Sequence, residues 1–248
     1  MLDSETIGKL KDLRLFAMAE GFMEQQQLGG MGALSFEERL GLLVDAEWYR
    51  RCNNRTGRLA KQANFRIDAA IEGIDYVGKR GIAKPEILKL SLGSYIKKAQ
   101  NIIISGPTGI GKTYIACALG RAACAQGHQV VYARLTDFFR QAFAAGGKVS
   151  FRGKCAKAPL LILDDWGLKK FSCEETEELS DLFERRYGQA STIIAGQVPC
   201  DSWHELFPDP TLADSILDRI VHNAHVYNIT GESMRKTIGK RSLESLDS

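Results

Sequence analysis

An α/β fold is predicted for most of this chain: a parallel five-stranded sheet with helices on both faces, preceded by a small all-α domain. Three observations predict it. From residue 101 onward, short apolar runs alternate with stretches of helical periodicity. Residues 106–113 lie between the first run and the first helical stretch and match GxxxxGK[ST]. Residues 7–63 carry apolar side chains at three- and four-residue steps instead of alternating runs.

In the first segment, Leu10, Leu13, Phe16 and Ala17 follow the helical period, as do Leu40, Leu43, Val44 and Trp48. Gly29, Gly30 and Gly32 interrupt the pattern, and Ser35 followed by Glu38 reads as a capping box opening the next helix. This gives a helical N-terminal domain over residues 1–66. Residues 67–100 hold Gly73, Gly78, Gly81 and Pro85 at irregular spacing, so a connector with short elements is expected there. The α/β domain follows over 101–248. Its strands are expected at 101–105, 129–133, 160–163, 192–195 and 225–229, with helices from Lys112, Thr136 and Glu174.

Composition narrows the class. The 248 residues are 44% hydrophobic and 25% charged, ordinary for a globular chain and against a disordered or fibrous one. The apolar runs, such as 160–163 and 102–104, are far short of the roughly 18 residues that span a bilayer. No basic n-region with an apolar stretch begins the chain, so a cytoplasmic location is expected. The six cysteines show no CxxC pair and read as reduced structural thiols. Charge is uneven: residues 1–47 hold four Lys/Arg against nine Asp/Glu, whereas 48–100 hold twelve against four. That asymmetry suggests a polyanion contact in the middle segment.

The sequence Gly106-Pro107-Thr108-Gly109-Ile110-Gly111-Lys112-Thr113 is expected to wrap a triphosphate with its amides, Tyr114 following in the same cradle. Lys112 is suited to neutralising β/γ oxygens and Thr113 to holding Mg2+, so ATP and Mg2+ are the expected ligands. The apolar run 160–163 ends in Asp164 and Asp165. Asp164 is the expected partner of Mg2+, and Asp165 is placed to orient or polarise the attacking water.

Further residues carry a family resemblance. LLILDDWG at 160–167, STIIAGQVPCDSWHELF at 191–207, DPTLADSILDRIVHNA at 209–224 and GESMRK at 231–236 resemble the IstB-type ATPases, the transposition helper proteins of bacterial insertion sequences. These are relatives of the helicase loader DnaC and the initiator DnaA in the AAA+ class. Residues 35–58 also resemble that family's N-terminal domain. The resemblance implies an AAA+ α/β/α domain, Gln197 as the polar sensor of the γ-phosphate, Arg219 as an arginine finger offered to a neighbouring subunit, and Arg235 as a second sensor. It implies duplex DNA and a transposase as partners, with self-association into a ring or helical oligomer. Two departures stand out. Asp165 replaces the glutamate of many AAA+ proteins, which implies slow or partner-stimulated hydrolysis. Too few residues follow Arg235 for a four-helix lid, so a reduced or absent lid is expected.

For DNA, Arg50, Arg51, Arg55, Arg58, Lys61 and Arg66 recur mostly at helical steps, and acidic partners are scarce there. A solvated charged face is the competing reading. Lys148, Arg152, Lys154 and Lys157, on an expected Gly-bounded loop, form a second candidate. Trp48, Tyr49, Phe65, Phe138 and Phe139 are expected in the core. Arg219 has Asp214, Ser215 and Asp218 as possible local partners, and Arg235 has a basic tail around it. Rival functions are a DnaC-like replicative helicase loader, a small-molecule kinase, and a nucleotide-gated scaffold with negligible hydrolysis.

Overall fold

The structure is a computed structural model and describes residues 2–27, 34–76, 81–144, 149–231 and 233–234. The chain divides into two compact units, Met1–Arg58 and Leu59–Ser248, the division falling within one helix.

In the first unit, α1 (Leu2–Asp12), α2 (Phe16–Gln27) and the first part of α3 (Phe36–Ala63) are helical. The sequence pattern runs unbroken through residues 13–15, yet the chain turns there. Arg14 adopts φ 58°, with its amide on the Lys11 carbonyl (2.9 Å) and the Leu15 amide on the Leu10 carbonyl (2.8 Å). These two bonds are those of a Schellman C-cap, with arginine at the left-handed position glycine usually takes. The expected capping box opens α3: the Ser35 amide donates to Glu38 (2.7 Å) and the Glu38 amide to Ser35 Oγ (3.2 Å). The glycines at 29, 30 and 32 lie outside the described residues. Trp48 and Tyr49, expected in the core, are 64% and 66% exposed, because the face of α3 turned inward carries Leu43 and Glu47 instead.

In the second unit, β1 (Asn101–Ser105), β2 (Val130–Arg134), β3 (Leu160–Trp166), β4 (Ser191–Gly196) and β5 (Ala224–Asn228) form one sheet in the order β2-β3-β4-β1-β5. Every pairing is parallel. Alternation along the strands sorts side chains to two faces. Ile102, Ile104, Ile162 and Ile193 pack with α6 (Lys112–Ala125) and α4 (Lys84–Ser91). Ile103, Leu161, Leu163 and Ile194 pack with α7 (Leu135–Phe143), α9 (Cys173–Arg186) and α10 (Pro210–Val221). Phe138 and Phe139 belong to this second layer as expected, and Phe65 lies half-buried against the first.

Residues 67–100 do carry short elements: a 3-10 turn at Ile71–Gly73, then α4 and α5 (Ser94–Lys97). They also supply Ala69, Ile74, Ile87, Leu90 and Tyr95 to the core of the sheet unit. The expected loop near 148–157 is instead helix α8 (Val149–Lys157), anchored by buried Cys155 and by Arg152 paired with buried Glu178. All six cysteines are free. Among the described residues no helix is long and apolar enough to cross a membrane.

Candidate functional site

β1 delivers the chain to the phosphate loop with Ser105 fully buried, and α6 begins at Lys112. Gly106 (φ 146°), Gly109 (φ 84°) and Gly111 (φ 102°) carry backbone turns that a side chain would strain. A Cβ at Gly106 would strike the carbonyl of Ile229, the residue after β5, whereas one at Gly111 would meet open space. The loop thus leans on the end of β5 at Gly106 and faces open space at Gly111, and a glycine-built loop ahead of a helix N-terminus suits phosphate oxygens. Lys112 Nζ donates into the loop, to the carbonyls of Gly106 (2.7 Å) and Pro107 (2.8 Å). Burial lowers its pKa, and Asp164 and Asp165 oppose that shift.

Across from the loop, Thr113 Oγ1 lies 3.1 and 2.9 Å from the two oxygens of Asp164. Tyr132, on β2, donates its hydroxyl to Asp164 Oδ2 at 2.7 Å. Burial and the neighbouring carboxylate push that phenol's pKa upward. A hydroxyl with a carboxylate is the hard oxygen donor set that Mg2+ takes alongside nucleotide phosphates and water, so Thr113 and Asp164 fit the ion.

The expected strand ended at residue 163. β3 instead continues through both acids to Trp166, with a register shift against β4 between Leu163 and Trp166. Asp165 occupies the irregularity at φ 62°, a left-handed backbone for a non-glycine residue. Its pKa is raised, chiefly by burial and then by Asp164, while Arg66, Arg134 and Lys112 pull it down. Arg66 Nη1 stands 3.4 Å from Asp165 Oδ2 and 4.0 Å from Asp164 Oδ2.

Gln197 follows Gly196, which pairs with Ser105 on one side and Trp166 on the other, so it emerges on the same sheet edge between the loop and the acids. Arg219 does not join them. It precedes β5, whose first residue pairs with Asn101 at the start of β1, so it lies at the opposite edge. Five residues of strand, about 16 Å at roughly 3.3 Å each, separate those edges. There Arg219 donates to the Ser215 carbonyl (2.6 Å) and hydroxyl (2.5 Å) and pairs with Glu184. Arg235 lies outside the described residues.

Beside the loop is an apolar cavity lined in part by Ile74, Ile82, Ile110, Tyr114, Ile229 and Met234. It opens next to Gly111, where a planar base joined to a loop-bound triphosphate would fit. Tyr114 was expected only as a continuation of the phosphate cradle, and residues 73–82 were read only as connector. Tyr132 and Arg66 were missed as site residues too. Tyr132 looks in sequence like any strand aromatic, and Arg66 like one more member of a basic run.

That basic run is not a uniform free surface. Arg50 donates to Glu47 at 3.2 and 2.5 Å and stacks 5.2 Å over the Phe16 ring, and Arg51 donates to Glu47 at 2.8 Å. Arg55, Arg58 and Lys61 are exposed. Lys154 lines a groove along β2 with Arg66, Arg134 and Arg140. Lys148 lies outside the described residues.

Comparison with known proteins bears on the same features. Residues 8–242 match the family model of the IstB-like ATP binding proteins. This chain belongs to that family. It is 38% identical over 98% of its length to all of y4pL of Sinorhizobium fredii, named as an insertion sequence ATP-binding protein. It is 39% identical over 80% of its length to 88% of the IS1162 ATP-binding protein of Pseudomonas fluorescens. Among solved structures, DnaI superimposes with a TM-score of 0.56 at 17% identity, covering 67% of this chain and 90% of that one. The DnaC helicase loader gives 0.54 at 20% identity over 66% and 97%. These likenesses establish the P-loop AAA+ fold, and the family makes this an ATP-binding protein of the insertion-sequence type.

Proposed function

We propose that this chain is an ATP-dependent DNA-binding ATPase that oligomerises on duplex DNA, selects or remodels the target and recruits a transposase. The observation that carries the nucleotide part is the meeting of Lys112, Thr113 and Asp164 at a glycine-built loop that opens the helix α6. On nucleotide binding Lys112 exchanges its two loop carbonyls for β/γ-phosphate oxygens. Bound Mg2+, held by Thr113 and Asp164, supplies charge neutralisation on those oxygens. Asp165 orients and polarises the attacking water, and Gln197 aligns it from the same sheet edge. Arg235 acts as the second sensor within the subunit.

Arg219 is too far from its own phosphate loop to serve it. Its place at the opposite edge suits a finger entering a neighbour's site, with ATP as the glue between copies. Its bonds to Ser215 and Glu184 hold it until a triphosphate competes for the guanidinium. The insertion-sequence names of the relatives support the transposition role. Of the candidate DNA contacts, Arg58, Lys61 and Lys154 are exposed, so binding should be sequence-tolerant and salt-sensitive.

The test is Arg219→Ala, examined by nucleotide titration and by electron microscopy with ATP and duplex DNA. The variant should bind Mg·ATP like wild type yet form no ring or filament. Normal assembly would refute the finger. Tighter binding of single strands than of duplex, with capture of a replicative helicase, would favour the loader reading instead.

A further inference from the structure

Arg66 belongs to no motif, yet the fold holds it at the hydrolytic acids. α3 ends at Asn64, which takes φ 55° and donates to the Lys61 carbonyl, turning the chain onto α6. Phe65 then lies so close to Gly120 of α6 that a Cβ there would come within 2.7 Å of its ring. Its other edge meets Tyr132, centroids 6.5 Å apart. Ala63 and Ala69 are buried on either side of Arg66, in the same core cluster as Cys117 of α6. Residue 66 is therefore clamped at both flanks while its side chain reaches forward to the acids.

Asp165 needs such a partner. It sits on a strand irregularity, its side chain is 29% exposed, and among the described residues Arg66 is the side chain hydrogen-bonded to it. Its carboxylate also rides on an arm one methylene shorter than glutamate's, so it reaches less far and its position relative to an attacking water depends on how it is held. Asp164, by contrast, is held by both Thr113 and Tyr132.

We propose that Arg66 is a positioning residue for hydrolysis, fixing the Asp165 carboxylate from the segment that joins α3 to the sheet. This rests on the reading of Asp165 as the hydrolytic carboxylate. Arg66 is nearer to Asp165 (3.4 Å) than to Asp164 (4.0 Å), and Asp164 is hydrogen-bonded by Thr113 and Tyr132 besides, so Arg66 governs turnover and affects binding little.

Single-turnover ATP hydrolysis and Mg·nucleotide titration on Arg66→Ala, Arg66→Gln, Arg66→Lys, Asp165→Asn and the Arg66→Ala/Asp165→Asn double variant test this. Arg66→Ala and Arg66→Gln should each slow hydrolysis by at least about tenfold, as misplacement of a reacting group does. Nucleotide affinity should stay within about twofold of wild type, and Arg66→Lys should recover most of the rate. The double variant should be no slower than Asp165→Asn alone, because the two residues act as one unit. Wild-type rates in both neutral variants, a parallel loss of nucleotide affinity, or multiplicative effects in the double variant would overturn the proposal. Full activity in Asp165→Asn, or a wild-type chain that binds nucleotide without turnover, would instead overturn the hydrolytic reading beneath it.

Discussion

The two units of this chain are held together by different physics. The sheet unit buries two continuous apolar layers, one on each face of five parallel strands. The helical unit buries Ala19 and Leu43, and at its centre a carboxylate, Glu47, which is only 4% exposed. Glu47 gathers Arg50, Arg51 and the amide of Ala17 (2.9 Å), while Leu13, Phe36, Leu42, Val44 and Trp48 face outward. A large apolar core tolerates a few buried polar groups provided all are satisfied. A unit built on one ion cluster depends on that cluster.

The contrast can be broken from either side. The largest effect is expected at Arg186, the sheet unit's own buried cation, whose guanidinium donates to the carbonyls of Cys155 (2.6 Å) and Ala158 (2.9 Å), to Thr192 Oγ1 (3.0 Å) and to the Ser191 carbonyl. Burial lowers its pKa to about 10. Arg186→Met strands those acceptors and should cost at least about 3 kcal/mol in urea denaturation. A loss below about 1 kcal/mol would mean that apolar packing alone sustains this edge of the sheet.

Next comes Lys112→Ala, which should weaken Mg·nucleotide binding by about 100-fold, about 2.7 kcal/mol, in a fluorescence titration. Global stability should barely change, because the lysine's partners in the free protein are its own loop carbonyls. Retained affinity would remove the cradle from the proposed mechanism.

The smallest effect belongs to the helical unit. Hydrogen bonds from Arg50, then Arg51 and the Ala17 amide, outweigh burial and lower the Glu47 pKa from 4.5 to about 2. A depressed folded-state pKa contributes stability that is complete above the unfolded value and is lost as pH falls through the folded one. Glu47→Gln should therefore reduce amide-exchange protection in α2 and α3 by about 1–2 kcal/mol at neutral pH. The gap to wild type should close between pH 4.5 and about 2. A pH-independent gap would show that shape, and not charge, holds the unit.

Legibility in the sequence followed the range of the interactions involved. The phosphate loop could be read because its glycines, lysine and threonine act through backbone geometry within eight consecutive residues. The capping box at Ser35 and Glu38 was readable for the same reason. The turn at Arg14 was not, since arginine is a rare choice for a left-handed cap. The aromatics Trp48 and Tyr49 were misplaced because α3 turns Glu47 inward, which no hydrophobic count anticipates. Lys154 and Arg152 seemed to lie in a loop because the α8 helix is stabilised by contacts with α9, residues away in sequence.

By itself the sequence determined where the phosphate-loop motif lies, which strands are buried and which family the chain belongs to, because each depends on local pattern. Only the tertiary structure decided that Thr113, Asp164 and Tyr132 converge, that Arg219 stands a strand's length from the loop it resembles serving, and that Arg66 turns toward Asp165. Those outcomes depend on strand order, a shifted register and the packing of Phe65 on Gly120, which residues adjacent in sequence do not encode.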